Sequence, residues 1–70
     1  MSQLTEYLRS DKPPTERART LIGHSGLFFR EQFVTEAEKL IQELRGEDDE
    51  RQRLRNRLQH MVNARRVQSS

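Results

Sequence analysis

The fold class predicted from the sequence is all-α, and three observations predict it. Apolar residues recur at spacings of three and four along most of the chain. Proline and glycine interrupt that pattern at Pro13-Pro14, between Gly23 and Gly26, and at Gly46. The final segment opens with acids and closes with arginines, the order a helix dipole favours.

Leu4, Tyr7 and Leu8 share one helical face, so the chain opens with a turn or two of helix that Ser2 can cap. Asp11-Lys12-Pro13-Pro14 ends it, because Pro14 drives Pro13 into extended geometry and a proline suits the first position of a new helix. The second helix therefore starts near Pro14 or Thr15, carries Ala18, Leu21 and Ile22 as its stripe, and ends at Gly23 as a left-handed cap. After the turn Gly23-His24-Ser25-Gly26, Ser25 caps a third helix over about 27–45. Thr35 to Glu38 also reads as a capping box, which would start that helix at Thr35 with 27–34 extended. Phase favours the longer helix: Phe29, Phe33, Ala37, Leu40 and Leu44, with Val34 and Ile41 at one edge, form a single stripe, and Phe28 falls on the opposite side. A fourth helix over about 48–66 presents Leu54, Leu58, Met61 and Val62 on one face.

The domain thus divides into 1–12 (short helix and linker), 13–23 (short helix), 26–66 (antiparallel helical hairpin) and 67–70 (frayed tail). One long coiled-coil helix is the alternative, because the heptad phase of 33, 37, 40 and 44 continues through 47, 51, 54, 58, 61 and 65. It would place Glu47 and Arg51 in the seam and Gly46 in mid-helix, at a cost of about 1 kcal/mol relative to alanine.

Seventy residues give one thin core, which rarely supplies more than about 3–5 kcal/mol unaided. There is no cysteine, and His24 and His60 stand far apart without ligand-spaced carboxylates, so disulfides and metal are not expected as supplements, and no cofactor is expected. A homodimer is, because each helix carries more apolar face than one layer covers. The fold-level parallel is with dimeric helical hairpins among plasmid copy-number RNA-binding proteins and small viral double-stranded-RNA binders, with no shared motif. No apolar run approaches the roughly 18 residues of a membrane span, and Met1 to Leu4 lack a signal-peptide layout, so a cytoplasmic location without membrane contact is expected.

Two surfaces carry the functional expectation. On the fourth helix the apolar zone is flanked by Arg51, Arg55 and Arg66 on one side and Arg53 and Arg57 on the other, with Arg65 also available, while Gln52, Asn56, Gln59 and Asn63 form a neutral amide row. Arginines can grip phosphates and amides can bond base edges, or the arginine stems can lie along the core edge and pair with nearby acids. The other surface is Leu27 with Phe28. A phenylalanine near a helix start is expected to be buried under a neighbouring segment, here Pro14 to Ile22; if exposed with Leu27 it becomes the anchor, since aromatic anchors dominate interface energetics. Gly23-His24-Ser25-Gly26 begins like a nucleophile elbow, but Leu27 replaces the final glycine and no strand precedes it. A helix-turn-helix over Thr15 to Phe33 would present Glu31 and Glu38 toward phosphate, which opposes DNA. The sequence therefore points to a non-enzymatic module without a small-molecule substrate that docks onto a partner protein as adaptor, inhibitor or regulatory subunit. The alternative is a nucleic-acid-binding accessory protein using Arg51, Arg53, Arg55, Arg57, Arg65 and Arg66. A bacterial, plasmid or phage product would suit this composition.

Overall fold

A computed structural model describes residues 3–68. Four helices follow one another as α1 (Gln3–Leu8), α2 (Pro14–Gly23), α3 (Arg30–Glu43) and α4 (Asp49–Gln68), with one 3₁₀ turn (Ser25–Leu27) between α2 and α3. No strand occurs among the described residues. Helices α2, α3 and α4 each pack on the other two, the contact of α3 with α4 being the most extensive, and α1 lies on α2. The radius of gyration of 11.5 Å is close to the roughly 11 Å expected of a chain of this length folded as one globule.

Local chemistry explains most boundaries. Pro13 is extended (φ −54°, ψ 140°) and Pro14 opens α2, where a missing N–H costs nothing. Asp48 caps α4: its Oδ1 accepts from the Glu50 N–H at 2.9 Å and the Arg51 N–H at 3.2 Å. Gly46, at φ 138°, is the one positive-φ residue among those described, and it turns the chain between α3 and α4. The single long coiled-coil helix is therefore overturned: the helical ladder stops at Glu43 and restarts at Asp49. The beginning of α4 then lies by the end of α3, where Arg51 reaches the Glu43 carbonyl, and the end of α4 lies by the beginning of α3, where Arg65 stacks on Phe33.

Three boundaries differ from the sequence expectation. Gly23 does not form a left-handed cap; it is the last residue of α2, and His24 terminates the helix with φ −117° and ψ 20°. The third helix does not begin at Ser25 or Leu27, nor at Thr35. Phe28 (φ −111°, ψ 141°) and Phe29 (φ −65°, ψ 154°) are extended, and α3 starts at Arg30 without a side-chain cap. At the other end α4 runs through Val67 to Gln68 rather than stopping at Arg66. The expected cap at Ser2 and the tail residues Ser69 and Ser70 lie outside the described residues.

The extended dipeptide exchanges the two phenylalanines. Successive side chains of extended backbone point to opposite sides, so Phe28 packs half-buried against the core while Phe29 is 84% exposed. Phe29 thus leaves the stripe in which helical phase placed it, and Phe28, expected on the far side, joins the core. The core itself consists of Leu8, Ala18, Leu21, Phe33, Ala37, Leu40, Leu44, Leu58 and Val62, drawn from all four helices and the end of α3. Helix α2 packs across the stripe shared by α3 and α4, and Leu8 of α1 joins the same core.

The two glycines make opposite predictions. Gly46→Ala is expected to lower stability by about 1–3 kcal/mol through backbone strain, since a Cβ there would meet only Arg51 Cδ, at 3.7 Å. Gly23→Ala has a helical backbone and open space around its Cβ, and is expected to raise stability by about 0.4–1 kcal/mol. Urea denaturation of the two variants checks both signs.

Candidate functional site

The arginines of α4 are largely committed to the fold. The Arg51 guanidinium donates to the Glu43 carbonyl at 3.2 Å, and that of Arg55 to the Leu44 carbonyl at 2.6 Å, so both fasten the turn around Gly46. Arg53 pairs with Asp49 one helical turn away, at an exposed position. Arg65 lies over the Phe33 ring at 3.9 Å from its centroid and donates to the Met61 carbonyl at 3.3 Å. Arg66 reaches Glu38 of α3 at 2.6 Å. Arg57 alone of the six is exposed with no hydrogen bond or ion pair among the described residues. The amide row is brought together as expected of its spacing: Gln52, Asn56, Gln59 and Asn63 are all exposed, and Gln59 Nε2 donates to Asn63 Oδ1 at 3.0 Å.

The Leu27 and Phe28 pair is divided. Leu27 is 74% exposed, whereas Phe28 is packed against the core and cannot serve as a protruding anchor. The aromatic that does protrude beside Leu27 is Phe29, on the short connector entering α3. Sequence periodicity hides it, because a helix of any starting point between Ser25 and Leu27 would bury it.

Beside that connector the start of α3 and the end of α4 enclose an open groove of about 380 Å³, lined by Arg30, Glu31, Val34, Thr35, Arg65 and Arg66. Arg30 is exposed and has no hydrogen bond or ion pair among the described residues. Val67, at the end of α4, is a further exposed apolar residue.

A second polar cluster joins α1, α2 and α3, and nothing in the apolar pattern announces it. Arg17, with 7% of its side chain exposed, donates to the Leu8 carbonyl at 3.2 Å, the Lys12 carbonyl at 2.6 Å and both carboxylate oxygens of Glu43 at 2.6 and 3.1 Å. Glu36, at 3%, accepts from Arg9 at 2.8 Å. The available signal was position: Arg17 stands four residues before Leu21, and Glu36 four before Leu40, on the apolar faces of their helices. No buried side-chain nitrogen or oxygen among the described residues lacks a partner. The hydrogen bond from Arg17 holds the Glu43 carboxyl below its ordinary range; burial opposes the shift and the charge of Arg17 adds to it. A small cavity of about 270 Å³ beside these pairs has the same four charged groups in its lining, together with Lys39, Leu8, Ser10 and Leu40.

Among the described residues no group of three or more histidines, cysteines or acids is placed to hold a metal ion. No helix there is long and apolar enough to cross a membrane. Comparison with protein-family models, with curated proteins and with solved structures finds no match.

Glu43 gives this cluster a pH signature. A carboxylate whose folded-state pKa is lowered contributes stability that is complete above its ordinary pKa and is lost as pH falls through the lowered value. The stability advantage of the wild-type chain over Glu43→Gln is therefore expected to be constant near neutrality and to shrink on acidification below the ordinary glutamate range. Arg17→Met, which leaves the Leu8 and Lys12 carbonyls without their donor, is expected to cost about 1–3 kcal/mol at neutral pH. Denaturant titrations across pH measure both effects.

Proposed function

We propose that this chain is a non-enzymatic helical interaction module that docks onto a partner protein through the Leu27 to Phe29 connector and the groove beside it. It acts by occlusion or tethering, as an adaptor, inhibitor or regulatory subunit. The observation that carries this reading is the exposure of Phe29 and Leu27, 84% and 74%, in a chain that buries its other two phenylalanines wholly or in part. A protruding aromatic beside a protruding leucine, rimmed by arginines, has the composition of an interface centre. In this reading Phe29 takes the anchor role, and Leu27 keeps the one the sequence suggested.

The α3–α4 hairpin serves as the rigid base of that surface. Helix α2 packs over the shared stripe of α3 and α4 and Leu8 of α1 joins that core, which weakens the motive for the dimer that thin layers suggested. We therefore assign the Leu27 and Phe29 surface to a different protein rather than to a second copy.

The second reading, nucleic-acid binding, draws support from the exposed amide row with Arg53 and Arg57 beside it. Against it, Arg51, Arg55 and Arg66 already donate to groups of the chain itself, and gripping phosphate would mean surrendering those bonds. The two readings separate by salt. Cross-linking the tagged chain in extract of the producing cells is expected to give a defined adduct at both low and high salt, lost in Phe29→Ser. Because Phe29 is exposed, that substitution leaves the fold intact, which circular dichroism checks. An adduct unchanged by Leu27→Ser with Phe29→Ser would overturn the module reading. So would duplex RNA or DNA binding that falls by orders of magnitude between about 50 and 200 mM salt and disappears in Arg57→Gln.

A further inference from the structure

Two arginines of the groove between α3 and α4 stand where local stability does not want them. Arg30 occupies the first position of α3, where the helix dipole opposes a cation, and it has no acidic partner among the described residues. Arg65 stands at a core-facing position of α4, in phase with Leu54, Leu58 and Met61, and its guanidinium lies over the Phe33 ring without a carboxylate. The stack on Phe33 and the bond to the Met61 carbonyl fix its orientation while leaving other N–H donors of the fork unengaged. Local rules broken at adjacent points of one surface are the expected mark of a binding site.

We propose that this groove binds an acidic segment of the partner protein in which a carboxylate adjoins an aromatic or aliphatic side chain. The proposal rests on the interaction-module reading and adds to it the chemistry of the partner. Charge complementarity selects the occupant. Arg30, Arg65 and Arg66 face only Glu31 within the lining, and the one further acid in contact, Glu38, is taken by Arg66. Arg30 and Arg65 are thereby left to receive carboxylate oxygens, for which a guanidinium fork is matched in shape. Val34 in the groove and Phe29 immediately before Arg30 supply apolar contact next to those forks. A polyanion without apolar groups would leave Val34 and Phe29 unused, and an apolar peptide without carboxylates would leave both cations unpaired.

The probe is a short fluorescein-labelled peptide alternating glutamate with phenylalanine and leucine, titrated by anisotropy at about physiological ionic strength. Saturable binding is expected, with amide resonances of Arg30, Val34 and Arg65 shifting most in a parallel NMR titration. Arg30→Gln is expected to weaken it at least about tenfold, the loss of one charge-assisted hydrogen bond, while Arg57→Gln leaves it unchanged. A peptide with glutamine for each glutamate, and one with serine for each apolar residue, are each expected to bind more weakly by a similar factor. Absence of saturable binding, equal weakening by Arg30→Gln and Arg57→Gln, or displacement of the peptide by an RNA duplex would overturn the proposal. If the peptide fails while the Phe29-dependent cross-link persists, the partner chemistry is wrong and the module reading stands; if the cross-link fails while the peptide binds, the reverse holds.

Discussion

The buried guanidinium of Arg17 is the interaction on which the rest of this small fold depends. It gathers the carbonyl at the end of α1, the carbonyl of the linker residue Lys12 and the carboxylate of Glu43 into one bonded group. A six-residue helix has no stability of its own, so α1 exists because Leu8 is seated in the core and its free carbonyl has a donor. Without α1, the face of α2 and α3 around Leu8 would be wet. Arg17 is therefore the joint through which a segment that cannot fold alone closes a core that would otherwise be open.

The same arrangement answers the problem of a thin core. Short chains usually need a covalent, metallic or oligomeric supplement. Within this chain charged pairs tie the segments together: Arg9 with Glu36, Arg17 with Glu43, Arg19 with Glu50, and Arg66 with Glu38. The exposed members of this set contribute little singly. Those reaching Glu36 and Arg17 differ, because removing Arg9 or Glu43 would strand the buried charge of its partner. Arginine suits this work better than lysine, since one planar fork can satisfy several acceptors at once.

That commitment of arginine to architecture shapes the functional reading. A basic C-terminal helix looks like a polyanion-binding element when its charges are counted, and much less so when their acceptors are named. The free donors of Arg30 and Arg65 lie at one end of the molecule, where these two arginines and Val34 line the groove next to the exposed connector. The connector owes its exposed aromatic to geometry: a helical path would bury Phe29, and an extended one cannot bury both phenylalanines.

The all-α class, the span of α2 and the start of α4 were legible in the sequence because each rests on short-range chemistry. Pro13 and Pro14 restrict their own backbone, and Asp48 bonds N–H groups two and three residues away. The amide row was legible for the same reason, since one helix fixes its spacing. The path from His24 to Phe29 was not, because phase along α3 favours a helical run through Phe29, whereas Phe28 and Phe29 are extended and α3 starts at Arg30. Its choice falls to the packing of α2 against α3, which lets only Phe28 reach the core. Nor was the pairing of Arg17 with Glu43, 26 residues apart, open to any local rule. The sequence by itself thus determined where helices can form and which of their faces are apolar, because those are properties of neighbours in the chain. Tertiary structure decided which aromatic protrudes, which arginines are spent inside the fold and where a groove opens, because each depends on residues that meet only once the helices have packed.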